Sequence, residues 1–257
     1  MQRVADWAAR ITHESKMWPQ NCFITLTYGT GNLPPNASLQ HRDYQLFHKR
    51  LTKRLQRPIR RFMCGEYGDQ TGRPHYHACL FNVDFTTDRV YYAKSGSGEN
   101  MYTSALLTEI WGHGHATVQD LTAKSAAYCA GYVMKKTLGD ESETAYDITL
   151  EDGTILKRQP PYSAASNRPG IGQTWLDKYG KTDAFAHGYI VIDGIKRPLP
   201  KFYVKKLKEA NGGHLPDHID IQRQNAAIKS RGDNTPARLD AKEQVHKAKL
   251  KNWKREL

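Results

Sequence analysis

The sequence predicts an α+β protein with a split βαβ layout: an antiparallel sheet with helices on one face, followed by a C-terminal extension. Three observations predict it. Over residues 1–140, β-branched and aromatic runs interleave with stretches of helical period. Two of the runs are joined by a short turn-rich link, which only antiparallel neighbours allow. Beyond about 140 the pattern changes to short alternating segments around Asp-Gly pairs, then to charged stretches.

Residues 4–17 carry Val4, Trp7, Ala8 and Ile11 at helical spacing and form the opening helix. Residues 22–28 (CFITLTY) end at Gly29 and read as a strand. A Gly-Asn-Leu-Pro-Pro loop follows. Residues 39–55 place Tyr44, Phe47, Leu51 and Leu55 on one stripe, with Lys49, Arg50, Lys53 and Arg54 largely off it. This is an amphipathic helix with a basic face. Residues 59–67 and 75–84 are strands of a hairpin closed by the 68–74 link. Residues 86–101, with Ser-Gly-Ser-Gly, read as an exposed mobile loop. Residues 104–111 form a capped helix and 116–121 a strand. Residues 123–136 form a helix stopped near Gly139. Asp152-Gly153 and Asp193-Gly194 each predict a hairpin, and the glycine-rich link at 167–175 opens a short helix. The expected organisation is a core domain at 1–140, a hairpin-rich extension packed on it at 141–200, and a basic helical tail at 201–257. Within the tail, 238–257 reads as a charged helix or a partly disordered arm.

The chain has 257 residues, 39 % of them hydrophobic and 25 % charged, which suits a soluble globular protein with room for a core. Its formal net charge of +12 favours a polyanionic partner. Residues 196–257 hold 16 lysines and arginines against 7 acidic residues, so most of the excess sits there. Cys22, Cys64, Cys79 and Cys129 form no C-x-x-C pair and lie in apolar stretches, so buried reduced thiols are expected, as in the cytosol. No apolar run is long enough to span a membrane, and no secretory signal opens the chain.

His75-Tyr76-His77 lies on a predicted strand. Its imidazoles share one face, while Tyr76 points to the other and can anchor the strand. Glu66 sits on the partner strand, close enough across the hairpin to join them. Two imidazoles and a carboxylate leave coordination positions open for water and a phosphate oxygen, and Mg²⁺ or Mn²⁺ is the expected ion. Zinc suits the donor types, but no H-E-x-x-H or paired-cysteine framework is present. His113-Gly114-His115 repeats the pattern with a glycine that cannot anchor a strand, next to a Trp-Gly turn. It reads as a loop entering a strand. On the helix at 123–136, Tyr128 and Tyr132 are one turn apart on one face, and Lys135 follows on nearly the same side. A phenol is a weak nucleophile at its free pKa of ~10, and a nearby cation assists its attack. Lys136 lies off that face.

Together these residues resemble the replication initiators of small single-stranded DNA phages, the microviruses and especially their gokushovirus-like branch, within the HUH (His-hydrophobic-His) endonucleases. The elements that carry the resemblance are Phe23-Ile-Thr-Leu-Thr-Tyr28, Cys64-Gly-Glu66-Tyr67-Gly68, Arg73-Pro-His75-Tyr-His77, Ser125-Ala-Ala-Tyr128 through Lys136, and Arg168-Pro-Gly-Ile-Gly172 before Trp175. They are spread over about residues 20–200. Gly131 departs from relatives that often carry a basic residue there. The resemblance implies an HUH/ferredoxin-like fold and rolling-circle initiation. Tyr128 would cleave the origin strand to leave a 5′-phosphotyrosine and a free 3′-hydroxyl, and Tyr132 would close it later. Single-stranded origin DNA is the implied partner, with host helicase and polymerase beside it, in the bacterial cytoplasm. DNA contacts are expected from Lys49, Arg50, Lys53, Arg54, Arg73, Lys136, the tail and exposed aromatics. The strand with Thr25, Thr27 and Tyr28 should lie beneath the same groove, and the 113–115 loop is free to add a contact. Two other readings remain open. One is an HUH relaxase or single-strand transposase; the other is a basic nucleic-acid-binding module without catalysis.

Overall fold

The computed structural model describes residues 2–68, 71–131 and 146–251. They group into two compact units: Met1–Lys94 with Glu99–Lys178, and Ser95–Gly98 with Tyr179–Leu257.

The first unit is built on a seven-stranded sheet. It opens with helix α1 (Gln2–Ser15), whose Ile11 is fully buried, and strand β1 (Asn21–Tyr28). Helix α2 (His41–Leu55) buries Tyr44, Phe47 and Leu51 and stops at Gln56, which adopts the left-handed conformation. Strands β2 (Arg60–Tyr67) and β3 (Pro74–Phe81) form the predicted hairpin. Then come β4 (Arg89–Lys94), β5 (Asn100–Ser104), α3 (Ala105–Trp111), β6 (Gly114–Asp120) and α4 (Ala123–Gly131). Ser104 caps α3 by accepting from the Leu107 amide, and Gly112 ends it at φ +70°. The minor hairpin β7 (Ile148–Thr149) and β8 (Ile155–Leu156) turns at Asp152-Gly153. Strand β9 (Tyr162–Ala165) precedes α5 (Gln173–Tyr179). The sheet order is β4-β5-β6-β1-β3-β2-β9, and its paired strands are antiparallel.

The α+β class with a large antiparallel sheet is as expected, but the helices occupy both faces. On one face, Ile24, Leu26 and Tyr28 of β1, Tyr76, Ala78 and Leu80 of β3, and Ala116 and Val118 of β6 pack with α2 and α3. On the other, Phe23, Phe62, Cys64, Cys79 and Phe81 pack with Ile11 of α1 and Ala126, Cys129 and Ala130 of α4. Central strands that are apolar on alternate positions in both phases must be covered twice, which explains the second layer. All four cysteines are free and buried.

Two further departures concern strands. The expected loop at 86–101 is the β4–β5 hairpin. Val90, Tyr91 and Tyr92 are exposed there, so no buried face marks the alternation in sequence. Strand β9 extends the sheet by pairing Phe62 with Ala165 and Gly65 with Tyr162. Its Ser-Ala-Ala stretch carries little β-propensity, and the partner supplies the order. The predicted continuation of α4 to 136 and its stop near Gly139 lie outside the described residues.

The second unit contains α6 (Ala184–His187), the hairpin β10 (Tyr189–Ile192) and β11 (Ile195–Pro198) at Asp193-Gly194, α7 (Lys201–Ala210), α8 (Asp217–Ser230) and α9 (Pro236–Lys251). Tyr203, Leu207 and Ile219 are its buried helix residues.

Candidate metal centre and nucleophile helix

Antiparallel register decides which residues meet. Glu66 of β2 pairs with His75 of β3, and Cys64 pairs with His77, so Glu66 lies beside one histidine and diagonal to the other on one face. The Glu66 carboxylate Oε1 is 3.0 Å from His77 Nε2 and 3.9 Å from His75 Nε2. Glu66 is 4 % exposed and His77 fully buried, while the His75 side chain keeps 17 %. Among the described residues this is the one group of histidine, cysteine and acidic side chains whose donor atoms converge, all within 4.8 Å of one another. Ligands at ~2.1 Å from an octahedral ion stand roughly 3 Å apart when adjacent. Two imidazole nitrogens and one carboxylate oxygen at these separations therefore fit a divalent cation, with the exposed edge at His75 open to further ligands.

The surroundings hold the two rings. His77 Nδ1 is 3.0 Å from Thr25 Oγ1 on β1, and the ring stacks on Phe23 at 5.7 Å. With Nε2 turned to an ion, Nδ1 carries the proton and donates to Thr25, which fixes the tautomer. On the other face Tyr76 is fully buried, its hydroxyl donating to the Gln40 carbonyl at 2.8 Å, and burial raises its pKa to about 12. Tyr76 anchors the strand between the histidines as expected.

Tyr128 comes from α4. Thr122 and Ser125 open this helix reciprocally. The Ser125 amide donates to Thr122 Oγ1 at 3.2 Å, and the Thr122 amide donates to Ser125 Oγ at 2.8 Å. Cys129 presses the helix onto the sheet, its Sγ 3.8 Å from both Cys64 Sγ and the His77 carbonyl. Burial pushes the Cys64 and Cys79 thiols up, so they remain neutral packing groups. Tyr128 is half-buried and meets the His77 ring edge-on at 5.4 Å. Tyr132, Lys135 and Lys136 lie outside the described residues.

The basic residues predicted to touch DNA are not gathered at this cluster. Lys49, Arg50, Lys53 and Arg54 are exposed on α2, across the sheet from it. The Arg50 guanidinium donates to the Ile110 and Trp111 carbonyls, both at 2.9 Å, and so completes the C-terminus of α3. Arg73 donates to the Tyr28 carbonyl at 2.9 Å and ties the β2–β3 hairpin to the end of β1. Thr25 and Thr27 share the cluster's face, but Tyr28 points away into the α2 core and donates to Asp43 at 2.7 Å. Sequence reasoning placed Thr25 under the groove but missed its bond to His77. It also missed Gly68, whose backbone lies against the His75 ring. The two-residue period of β1 was the available signal for Thr25. Nothing local signalled Gly68.

The sequence model of the ORF2-type replication-associated protein family matches residues 21–137. Over 206 residues the chain is 34 % identical to replication-associated protein VP4 of Bdellovibrio phage phiMH2K, covering 76 % of this chain and 60 % of that protein. It is 30 % identical over 239 residues to replication-associated protein ORF2 of Spiroplasma virus 4, covering 87 % of this chain and 69 % of that one. It is also 30 % identical over 217 residues to replication-associated protein ORF4 of Chlamydia phage 1, covering 81 % of this chain and 51 % of the relative. No solved structure matches.

Proposed function

Because this chain belongs to the family of phage replication-associated proteins that the ORF2-type model describes, we propose that it initiates DNA replication by nicking single-stranded origin DNA through a tyrosine. The observation that carries this reading is the edge-on contact of Tyr128 with His77 at 5.4 Å, inside a three-donor cluster. A phenol held at that place has a chemical use that a packing tyrosine lacks.

Glu66, His75 and His77 would hold a divalent ion, Mg²⁺ or Mn²⁺, which when bound polarises the scissile phosphate. Tyr128 Oη attacks the phosphorus, the bond from phosphorus to the 3′ oxygen breaks, and the phenolic proton leaves as the 3′ oxygen takes one up. The products are a 5′-phosphotyrosine and a free 3′-hydroxyl for the host polymerase. One phosphodiester replaces another, so no nucleotide is consumed. The fixed ring of Tyr128 and the rigid β2–β3 hairpin supply orientation. Tyr132 is assigned the closing attack and Lys135 the stabilisation of phenolate charge; Lys136 is assigned a phosphate contact. A relaxase or single-strand transposase would share this chemistry, and the names of the relatives favour replication over both. The convergence of ligand-type side chains beside Tyr128 favours an enzyme over a plain binding module. Among the described residues no helix is long and apolar enough to cross a membrane.

The test is incubation with Mn²⁺ and single-stranded oligonucleotides tiled across the replicon that encodes the protein. A covalent protein–DNA band on a denaturing gel is expected, with the attached residue mapped by peptide mass to Tyr128 or Tyr132. The Tyr128→Phe, Tyr132→Phe double variant should give no band. A band of wild-type intensity from it would place the nucleophile elsewhere.

A further inference from the structure

The strand register places two rows of side chains across the sheet on the face of the ion cluster. One runs Glu66, His75, Thr27, His115 over β2, β3, β1 and β6; the next runs Cys64, His77, Thr25, Thr117. Residues directly paired across antiparallel strands point to one side, so each row shares the cluster's face. This face is divided. Towards Phe23, Phe62, Cys79 and Phe81 it is apolar and buried under α1 and α4. Towards Thr27 and His115 it is polar; Thr27 and Thr117 are half-buried and His115 is exposed.

Gly114 explains how His115 comes to be there. It has φ +147°, and a side chain on it would run into the backbone of Gly29 and Thr27. The chain therefore presses flat against β1 at this point and the two histidines part. His113 packs its ring against Trp111 at 4.9 Å and Tyr28 at 5.8 Å, within the α2 and α3 core. His115 goes to the opposite face. It stands two strand spacings from His75, roughly 10 Å. That is too far to ligate the same ion and suited to a neighbouring phosphate of a strand lying across the sheet.

We propose that Thr27 and His115 form a phosphate-binding subsite beside the ion cluster, which seats the nucleotide adjacent to the cleaved bond. The hydroxyl of Thr27 and a ring N–H of His115 donate to non-bridging phosphate oxygens. The subsite rests on the reading of the substrate as single-stranded DNA.

The test uses the full chain with His115→Ala, Thr27→Val and His115→Lys. Binding of a mixed-sequence single-stranded oligonucleotide is followed by fluorescence anisotropy without divalent ion, and Mn²⁺ affinity is measured separately by calorimetry. Removing a hydrogen bond to a charged group should raise Kd about tenfold for His115→Ala and for Thr27→Val. His115→Lys should restore binding, since an ammonium also donates to phosphate, and Mn²⁺ affinity should not move. In adduct formation KM should rise while kcat is nearly unchanged. If the wild type binds DNA and forms adduct but His115→Ala and Thr27→Val match it, the subsite is refuted and the nicking reading stands. Loss of Mn²⁺ affinity in His115→Ala would also overturn it, by making the histidine part of the ion site. If the wild type binds no oligonucleotide, the nicking reading fails and takes the subsite with it.

Discussion

A Cβ added to Gly68 would stand 2.9 Å from Cε1 and 3.3 Å from Nε2 of His75. Its φ is not positive, so alanine can adopt the backbone, and the cost falls on the imidazole, which must move. Gly68→Ala should therefore lower Mn²⁺ affinity roughly 10–100-fold, as do other changes behind metal ligands, with little change in Tm; calorimetry and a thermal melt read the two separately. An unaltered affinity would mean the ring is placed by other contacts. His75→Ala and His77→Ala remove ligands outright and should abolish adduct formation while leaving most oligonucleotide binding. Persistent cleavage in both would refute the ion assignment. The alternation of His75, Tyr76 and His77 across a strand was legible from spacing alone. The bond from Thr25 to His77 spans 52 residues of sequence and was not.

At the scale of elements, α1 and α2 hold buried histidines that make folding sensitive to acid. His13 stacks on Trp175 at 3.6 Å, and burial, helped by Lys16, lowers its pKa to about 3. His48 on α2 is lowered to about 4 by burial and by Arg61. Both folded values lie below the unfolded value near 6.5, so the unfolded chain takes up the protons first. Stability is then full above pH ~6.5, falls as pH drops towards 4, and levels off near the folded values. Each histidine contributes on the order of 3 kcal/mol to that loss. Urea midpoints should drop between pH 7 and 4, and His13→Phe, which keeps the stack, should flatten the profile; an identical slope in that variant would exclude His13. Glu14 on α1 supports the same region. Its carboxylate accepts from Arg60 Nε at 2.6 Å, Trp18 Nε1 at 3.1 Å and the Gly172 amide at 2.7 Å. Helical period placed α1, but only the fold brings residue 172 to it.

Across the whole molecule, the net charge of +12 sits mostly in the C-terminal part of the chain. Each phosphate neutralised on a single strand contributes ~0.7 to the slope of log affinity against log salt. Deleting 238–257, which holds 7 lysines and arginines against 3 acidic residues, should weaken oligonucleotide binding and make that slope shallower. Titrations at several salt concentrations check this, and an unchanged slope would leave the tail without a DNA role.

The sequence by itself determined the identity of the ion-type donors, the central strands, the first four helix positions and the hairpins at Asp-Gly. These follow from side-chain alternation and turn chemistry, which act between near neighbours in the chain. Only the tertiary structure decided that helices cover both faces of the sheet. It also turned Arg50 and Arg73 to backbone carbonyls, sent His113 and His115 to opposite sides, and made residues 89–104 a paired hairpin. Each of those outcomes depends on register and packing between segments distant in sequence, where contact geometry, and no local period, carries the information.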